Sequence, residues 1–284
     1  MKTIFIAGAS GFIGKHLLDN LIFDNNIYIN RRDFISIKNS EENYNNLNCL
    51  KDYNKKIKFD YVINCIGNTN TASEDWSSLY EANCITNLKL MNSLKYNYFI
   101  YLSSFSIFSE KSIQIKFPDP NNLYGLSKYI SEKIIKQCSK ANSISIILRL
   151  PLVIGRKKKQ NDVINYFYNK LSSDKDVELI ENGKFLRNLI HYSEILKIIR
   201  NIINYKPFTK KNNIYHCNSS DLMSVLNICK YMKLKMNSNS KIKCIKKKFV
   251  NDFNSPIVKN QVSLRYHKKQ TISQNLDTYL DEFF

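Results

Sequence analysis

The 284-residue chain has no CxxC pair, and its cysteines are odd in number: Cys49, Cys65, Cys84, Cys138, Cys217, Cys229 and Cys244. Neither a disulfide framework nor a zinc spacing follows, and reduced thiols in a cytoplasmic protein are expected. No apolar run is long enough to cross a bilayer, so membrane insertion is not expected. The opening "MKTIFIAGAS" has one Lys and a short apolar run, but Ile4 to Ala7 is too short for the core of a signal peptide. Arginine is scarce. Only seven of the 43 basic residues are Arg, at 31, 32, 149, 156, 187, 200 and 265. Acidic residues number 24, which leaves a formal net charge of +19. Such an excess can draw nucleic acid, anionic lipid or a phosphorylated small molecule. Abundant Lys, Asn and Ile together are what AT-rich codons give, and most of the charge is read that way. The basic run "KIKCIKKK" (241–248) has no interleaved aromatics of an RNA-binding kind, so nucleic acid is not expected as a partner.

What is present is an alternation. "TIFIAG" reads as a buried strand and "FIGKHLLDNLI" as a helix, followed by "NIYIN" as a second strand. Residues 33 to 58 are polar and unplaced. "FDYVINCIG" is a third strand, with a helix from about Asp75 to Lys95. "YFIYLSS" is a fourth strand, "NLYGLSKYISEKIIKQCS" a helix and "SISIILRL" a fifth strand. This order predicts an α/β fold, a Rossmann-type doubly wound parallel sheet with a smaller C-terminal α/β substrate lobe. Residues 1–155 are expected to form the dinucleotide-binding domain. Residues 156–284 are expected to be mainly the substrate lobe, with some segments returning to the first. Past Gly155 the pattern loosens into the exposed connection "GRKKKQND", an apolar "NNIYHCN", a helix near Val225 to Met232 and an amphipathic stretch from Ile272 to Phe283. No repeat or long disordered linker is visible.

Glycine numbers seven in all, and three of these fall in "GASGFIG", at 8, 11 and 14, between the first strand and the first helix. That context is what a dinucleotide loop requires. Gly8 allows a tight turn, Gly11 lets the backbone approach a pyrophosphate, Gly14 permits close helix packing, and the helix N-terminus faces the phosphate charge. The end of the second strand lacks the acid that usually binds the ribose hydroxyl of NAD. Asn30 stands there, followed by Arg31 and Arg32, whose guanidinium groups suit a 2′-phosphate. Asp33 is read as falling too late. NADP(H) is therefore expected, with NAD(H) the alternative.

Tyr124 and Lys128 in "YGLSK" are four residues apart and so share one helix face. An ammonium beside a phenol favours the phenolate, and the pair is expected to bring the Tyr124 pKa down towards working pH for general acid–base chemistry.

With these motifs the sequence resembles the extended short-chain dehydrogenase/reductase family, also called the NAD-dependent epimerase/dehydratase family. The resemblance runs nearly end to end. "GASGFIG" is similar to the family's GxxGxxG loop, "DYVINCIG" to its third strand, Asn83 in "YEANCITN" to the Asn of the following helix, and "LSSFSIFS" (102–109) to its serine strand. Tyr124 and Lys128 match its YxxxK pair, "LRLPLVIG" resembles RxxNVYG, and "RNLIHYSEIL" resembles RDFIHVDDLA. "NIYHCNSSDLMSV" and "QTISQNLDTYLDEF" are similar to its late strand and final helix.

The resemblance implies roles. Lys128 also holds the nicotinamide ribose, and Ser104 hydrogen-bonds the reacting oxygen. Cofactor contacts extend to Ser10, Phe12, Ile13, Cys65, Ile66, Gly67, Asn83, Pro151 and Val153. Ser106 and Arg187 face the substrate, Arg187 gripping the diphosphate of a nucleotide sugar. No metal is implied, and a homodimer is allowed. Departures narrow the reaction. Family dehydratases carry Asp-Glu after the catalytic Ser/Thr, where this chain has Phe105 and Ser106. Enzymes that epimerise at carbons 3 and 5 place Cys at the Ser106 position, and a hydroxyl is a poor base beside a thiolate. Leu152 replaces a substrate-side Asn, and Cys49 replaces an Asp that often touches adenine. The expectation is an NADPH-dependent reductase of a keto group, at carbon 4, on a nucleoside-diphosphate 6-deoxy sugar for surface polysaccharide. The alternatives are a nucleotide-sugar 4-epimerase and, in another class, a non-catalytic RNA-binding or regulatory member of the fold.

Overall fold

A computed structural model describes residues 1–38, 47–51, 56–70, 73–108, 117–156, 162–245, 255, 264 and 267–283. The basic residues at 157–159 and 246–248, and Ser109, lie outside the described residues.

The first half follows the expected alternation. Strand β1 (Thr3–Ala7) leads into α1 (Phe12–Leu21), then β2 (Asn26–Asn30), α2 (Arg31–Lys38), β3 (Leu47–Leu50) and β4 (Lys58–Asn64). A long helical stretch comes next: α3 (Trp76–Tyr80), a π-helical turn (Glu81–Ile85) and α4 (Thr86–Ser93). Then come β5 (Lys95–Ser104), a 3₁₀ turn (Phe105–Ile107), α5 (Leu123–Cys138), β6 (Ile144–Leu150) and β7 (Leu152–Ile154). The second half holds α6 (Val163–Leu171), β8 (Val177–Ile180), β9 (Leu186–Arg187), β10 (Leu189–His191), α7 (Tyr192–Tyr205), β11 (Asn212–His216), β12 (Met223–Ser224), α8 (Val225–Lys235), β13 (Ile242–Ile245) and α9 (Ile272–Leu280).

The main sheet has the order β11-β6-β5-β4-β1-β2-β3, and every pairing in it is parallel. Its strands are apolar on both faces because helices cover both. Ile4, Phe5, Ile6 and Ala7 of β1 are fully buried, as are Tyr61, Val62 and Ile63 of β4. On one face α1 and α7 pack through Leu17, Leu18, Ile195, Ile198 and Ile202. On the other, Phe59, Leu90, Met91, Tyr101 and Ile135 form a second layer. The strand order reverses between β1 and β4, and ligands of such sheets bind at the carboxyl ends of the strands beside that point.

β11 pairs with β6 and closes the edge of the main sheet, and α7 covers its face, so residues 192–216 belong with the first half of the chain. A separate core gathers Phe167, Leu171, Val177, Ile228, Met232, Leu276 and Tyr279 from α6, β8, α8 and α9. α9 starts with a capping box, in which the Thr271 side chain accepts from Gln274 N and the Gln274 side chain accepts from Thr271 N. Among the described residues no helix is long and apolar enough to cross a membrane.

Candidate active site

The glycine loop sits where β1 meets α1. Gly8 has φ +77°, in the left-handed region that costs glycine little, and a Cβ there would come within 2.9 Å of Ile66 N. Gly11 N donates to Gly8 O at 3.0 Å, closing the turn. A Cβ on Gly14 would sit 2.0 Å from that same carbonyl oxygen, so the loop and α1 pack backbone on backbone. Gly11 differs: its Cβ would meet only Gly8 O, at 3.2 Å, and otherwise open space. Gly11 is also the N-cap of α1 and provides no side-chain cap, and the first turn holds no acid. Uncapped amides behind an open glycine fit a pyrophosphate. Phe12 packs edge-on against His16 and Tyr192, and Ile13 lies against the first core.

Asp33, read as falling too late for a ribose contact, is carried back over the glycine loop by the first turn of α2, which begins at Arg31. Its Oδ2 accepts from Gly8 N at 3.0 Å, Ala9 N at 3.1 Å and Asn30 Nδ2 at 2.9 Å, while its Oδ1 accepts from Ser10 Oγ at 2.6 Å. Asn30 Oδ1 in turn accepts from Asp33 N at 2.8 Å. Asn30 and Asp33 are thus joined by two reciprocal hydrogen bonds, one from the Asp33 backbone and one between the side chains, over the Asn-x-x-Asp spacing legible in "NRRD". Asp33 is 4% exposed, whereas Arg31 and Arg32 are both exposed at the start of α2.

Of the proposed catalytic residues, Ser104 ends β5, and Tyr124 and Lys128 lie in the first turns of α5. Asn122 caps α5 by accepting from Gly125 N at 2.8 Å, so the helix begins at Leu123, one residue before Tyr124. A Cβ on Gly125 would sit 2.0 Å from Ser106 O, so α5 lies directly on the 3₁₀ turn that follows Ser104. Ser104 Oγ accepts from Ser106 N at 3.1 Å and lies 3.2 Å from Ser106 Oγ. Lys128 Nζ donates to Leu102 O at 2.9 Å and lies 4.8 Å from the Tyr101 ring centroid. Asn83, in the π-helical turn, donates to Ser127 Oγ at 2.8 Å and to Asn68 O at 3.1 Å, and accepts from Asn68 N at 3.0 Å. Gly67 leaves room for both: its Cβ would stand 3.0 Å from Asn83 Oδ1 and 3.1 Å from Lys128 Nζ. Ile66 is anchored by its N–H to Asn64 Oδ1 at 2.9 Å. Burial pushes the neighbouring Cys65 thiol up to about 12, with Asp33 adding to the rise and Lys128 opposing it.

The electrostatics differ from expectation at Tyr124. Burial pushes the phenol above its ordinary value of 10, opposed by hydrogen bonding with Ser104. Lys128 does not draw it down in this state, since its Nζ is engaged by Leu102 O and lies 6.0 Å from the Tyr124 ring centroid. The phenol therefore keeps its proton at neutral pH. Burial lowers Lys128 from 10.5 to about 8. A lysine whose folded value lies below its unfolded one costs stability while charged, and that cost is relieved as pH rises from about 8 to 10.5. The melting temperature of the parent, measured relative to Lys128→Met, is expected to climb across that window, by an amount worth roughly 3 kcal/mol at most. A difference that does not change with pH contradicts this.

Arg187 ends β9, half-buried, with its Nη1 donating to Leu186 O at 3.3 Å and its guanidinium 5.8 Å from the Phe185 ring. Pro151 is half-buried between β6 and β7, and Val153 packs into the first core. Leu152 lies in β7 opposite Leu189. Cys49 lies in β3, opposite Ile29.

Residues 4–217 match the model of the family described as "NAD dependent epimerase/dehydratase family". A Methanocaldococcus jannaschii protein to which UDP-glucose 4-epimerase activity is ascribed is 26% identical over 231 residues, 72% of this chain and 74% of that one. The CDP-abequose synthase of Salmonella typhimurium is 28% identical over 214 residues, 71% of this chain and 70% of the relative. Among solved structures, the UDP-glucuronic acid 4-epimerase of Bacillus cereus, in complex with UDP-glucuronic acid and NAD, superposes with a TM-score of 0.77 at 19% identity, covering 99% of this chain and all of the other. At that identity the likeness is one of fold.

Proposed function

The chain belongs to the NAD-dependent epimerase/dehydratase family, enzymes of the extended short-chain dehydrogenase/reductase type, and on that premise we propose that it reduces a keto group at carbon 4 of a nucleoside-diphosphate 6-deoxy sugar. The observation that carries the reading is the placement of the buried Tyr124 phenol and of Lys128 on one face of α5, a helix that lies directly on the turn after Ser104, with burial holding the phenol above its ordinary pKa. Such a group is suited to giving a proton to a carbonyl oxygen. Beside it stand Phe105 and Ser106, neither of which offers the extra acid or base that elimination needs.

When bound, the nicotinamide dinucleotide supplies the hydride. The chain's own residues do the rest. Ser104 donates a hydrogen bond to the sugar oxygen, Tyr124 delivers the proton to it, and Lys128 holds a positive charge near the developing alkoxide. Asn83 fixes the start of this helix face through Ser127 Oγ, which itself donates to Tyr124 O at 2.7 Å. Arg187 is assigned to the diphosphate, which its planar fork suits.

NADPH is the proposed reductant, with NAD(H) the cofactor seen in the Bacillus cereus structure. Four hydrogen bonds hold the Asp33 carboxylate on the glycine loop, while Arg31 and Arg32 are exposed at the start of α2. NADPH is expected to bind more tightly than NADH. Arg31→Ala or Arg32→Ala is expected to cost roughly 1–3 kcal/mol of NADPH affinity and little for NADH. Equal affinities in the parent protein refute the assignment.

A second reading, epimerisation at carbon 4, is favoured by the activity ascribed to the Methanocaldococcus jannaschii relative. It needs Tyr124 to begin by taking a proton from a sugar hydroxyl. Incubation with a panel of keto nucleotide sugars, following NADPH absorbance, tests the first reading. Oxidation of NADPH in step with loss of the keto group supports it, and inversion with no net change in cofactor supports the second.

A further inference from the structure

Glu132 continues a row on α5. Tyr124, Lys128 and Glu132 follow at four-residue spacing and share one face of the helix. Glu132 is 1% exposed. Its Oε1 accepts from Arg149 Nε at 2.9 Å and from Ser103 Oγ at 2.7 Å, and its Oε2 accepts from Arg149 Nη2 at 2.7 Å. Ser103 and Arg149 are register partners on β5 and β6. One carboxylate therefore ties α5 to two adjacent strands, immediately before the residue from which the Ser104 hydroxyl projects.

We propose that Glu132 and Arg149 are positioning residues for Ser104, Tyr124 and Lys128: their buried pair sets the register of α5 on β5, and the Glu132 carboxylate supplies a negative charge one helical turn from the Lys128 ammonium. The kinetic half of this rests on the hydride-transfer reading above; the electrostatic half does not.

Two arguments support it. Desolvating two charges is not recovered as stability relative to apolar residues of the same volume, whereas a two-pronged Arg–carboxylate bond fixes orientation. The second concerns what surrounds Lys128. Burial lowers its pKa, and Cys84 from the π-helical turn, Cys65 after β4 and Glu132 oppose the drop, in that order. Burial pushes both thiols up, Cys65 to about 12, so they stay protonated where Lys128 titrates. β5 contributes the Leu102 carbonyl and the Tyr101 ring, and Tyr124 is a neutral phenol. Of the groups named, Glu132 alone is a carboxylate.

Three variants of the full chain test the proposal: Glu132→Gln, Arg149→Met, and the two together. Lysine labelled with ¹³C at Cε reports the Lys128 titration by NMR, the signal being assigned by its loss in Lys128→Met. Glu132→Gln is expected to move the Lys128 midpoint to lower pH, by about half a unit or more. The single variants leave one buried charge unpaired and are expected to melt early, and the double variant to recover most of the loss. On a nucleotide sugar that the parent reduces, the double variant is expected to keep KM within about threefold yet lose about tenfold or more in kcat. A merely structural pair predicts parent-like kcat once stability returns. An unmoved Lys128 midpoint in folded Glu132→Gln, or full recovery of kcat in the double variant, overturns the proposal. If the parent turns over no nucleotide sugar, the reaction reading fails, and the Lys128 titration still decides the role of Glu132.

Discussion

Tyr124→Phe is expected to slow turnover by about 10²-fold or more while leaving dinucleotide affinity nearly unchanged, in line with the contribution of a general acid. The substitution keeps the ring, which is 7% exposed between α5 and the turn after Ser104, and removes only the hydroxyl. Packing should therefore survive, and removing a buried hydroxyl relieves a desolvated polar group rather than opening a cavity. What is lost is the proton source next to Ser104 Oγ. The effect should fall on kcat and kcat/KM together, because the proton is needed only as charge develops on the oxygen. Binding and thermal melting serve as controls. Full activity of Tyr124→Phe on the true substrate contradicts the mechanism in both its reductive and its epimerising forms.

Gly14→Ala is expected to reduce dinucleotide affinity by about 10²-fold, about 2.7 kcal/mol, and to lower the melting temperature as well. The added Cβ would meet Gly8 O at 2.0 Å, Gly8 C at 2.7 Å and Ala9 Cα at 2.9 Å. All three are backbone atoms and cannot rotate away, so α1 must move off the loop. Gly11→Ala makes the contrast. Its single contact at 3.2 Å leaves the fold nearly unaffected, yet the methyl group enters the space through which a pyrophosphate approaches. Isothermal titration with NADPH and a thermal melt on each variant separate the two. Equal melting temperatures for Gly14→Ala and the parent contradict the packing account.

Five of the seven strands of the main sheet were legible as continuous apolar runs, whereas β3 lay in the polar stretch left unplaced. α2 was not legible either. Of its eight residues only Asp33 and Ile37 are buried, too little for a periodic signal, although the Asn30 and Asp33 pair was present in the spacing. β11 shows the limit of local pattern. "NNIYHCN" was visible as apolar, but its pairing with β6, 67 positions earlier in register, is a long-range fact. The site divides in the same way. Spacing placed Tyr124 and Lys128 on one face, and the glycines on one loop. Spacing could not place the ammonium, which turns to Leu102 O instead of the phenol, because that depends on where β5 ends beneath α5. Glu132 passed unread for a similar reason. Its partners Ser103 and Arg149 lie on two different strands, and only the sheet brings them together.

The central claim is that hydride moves from the dinucleotide to a sugar carbon and stays there. NADPH carrying deuterium at the transferable position of its nicotinamide, incubated with the protein and a 4-keto-6-deoxy nucleotide sugar, tests it most directly. The account predicts deuterium at carbon 4 of the product, in step with NADPH oxidised. Deuterium that never leaves the cofactor while a sugar inverts at carbon 4 contradicts it.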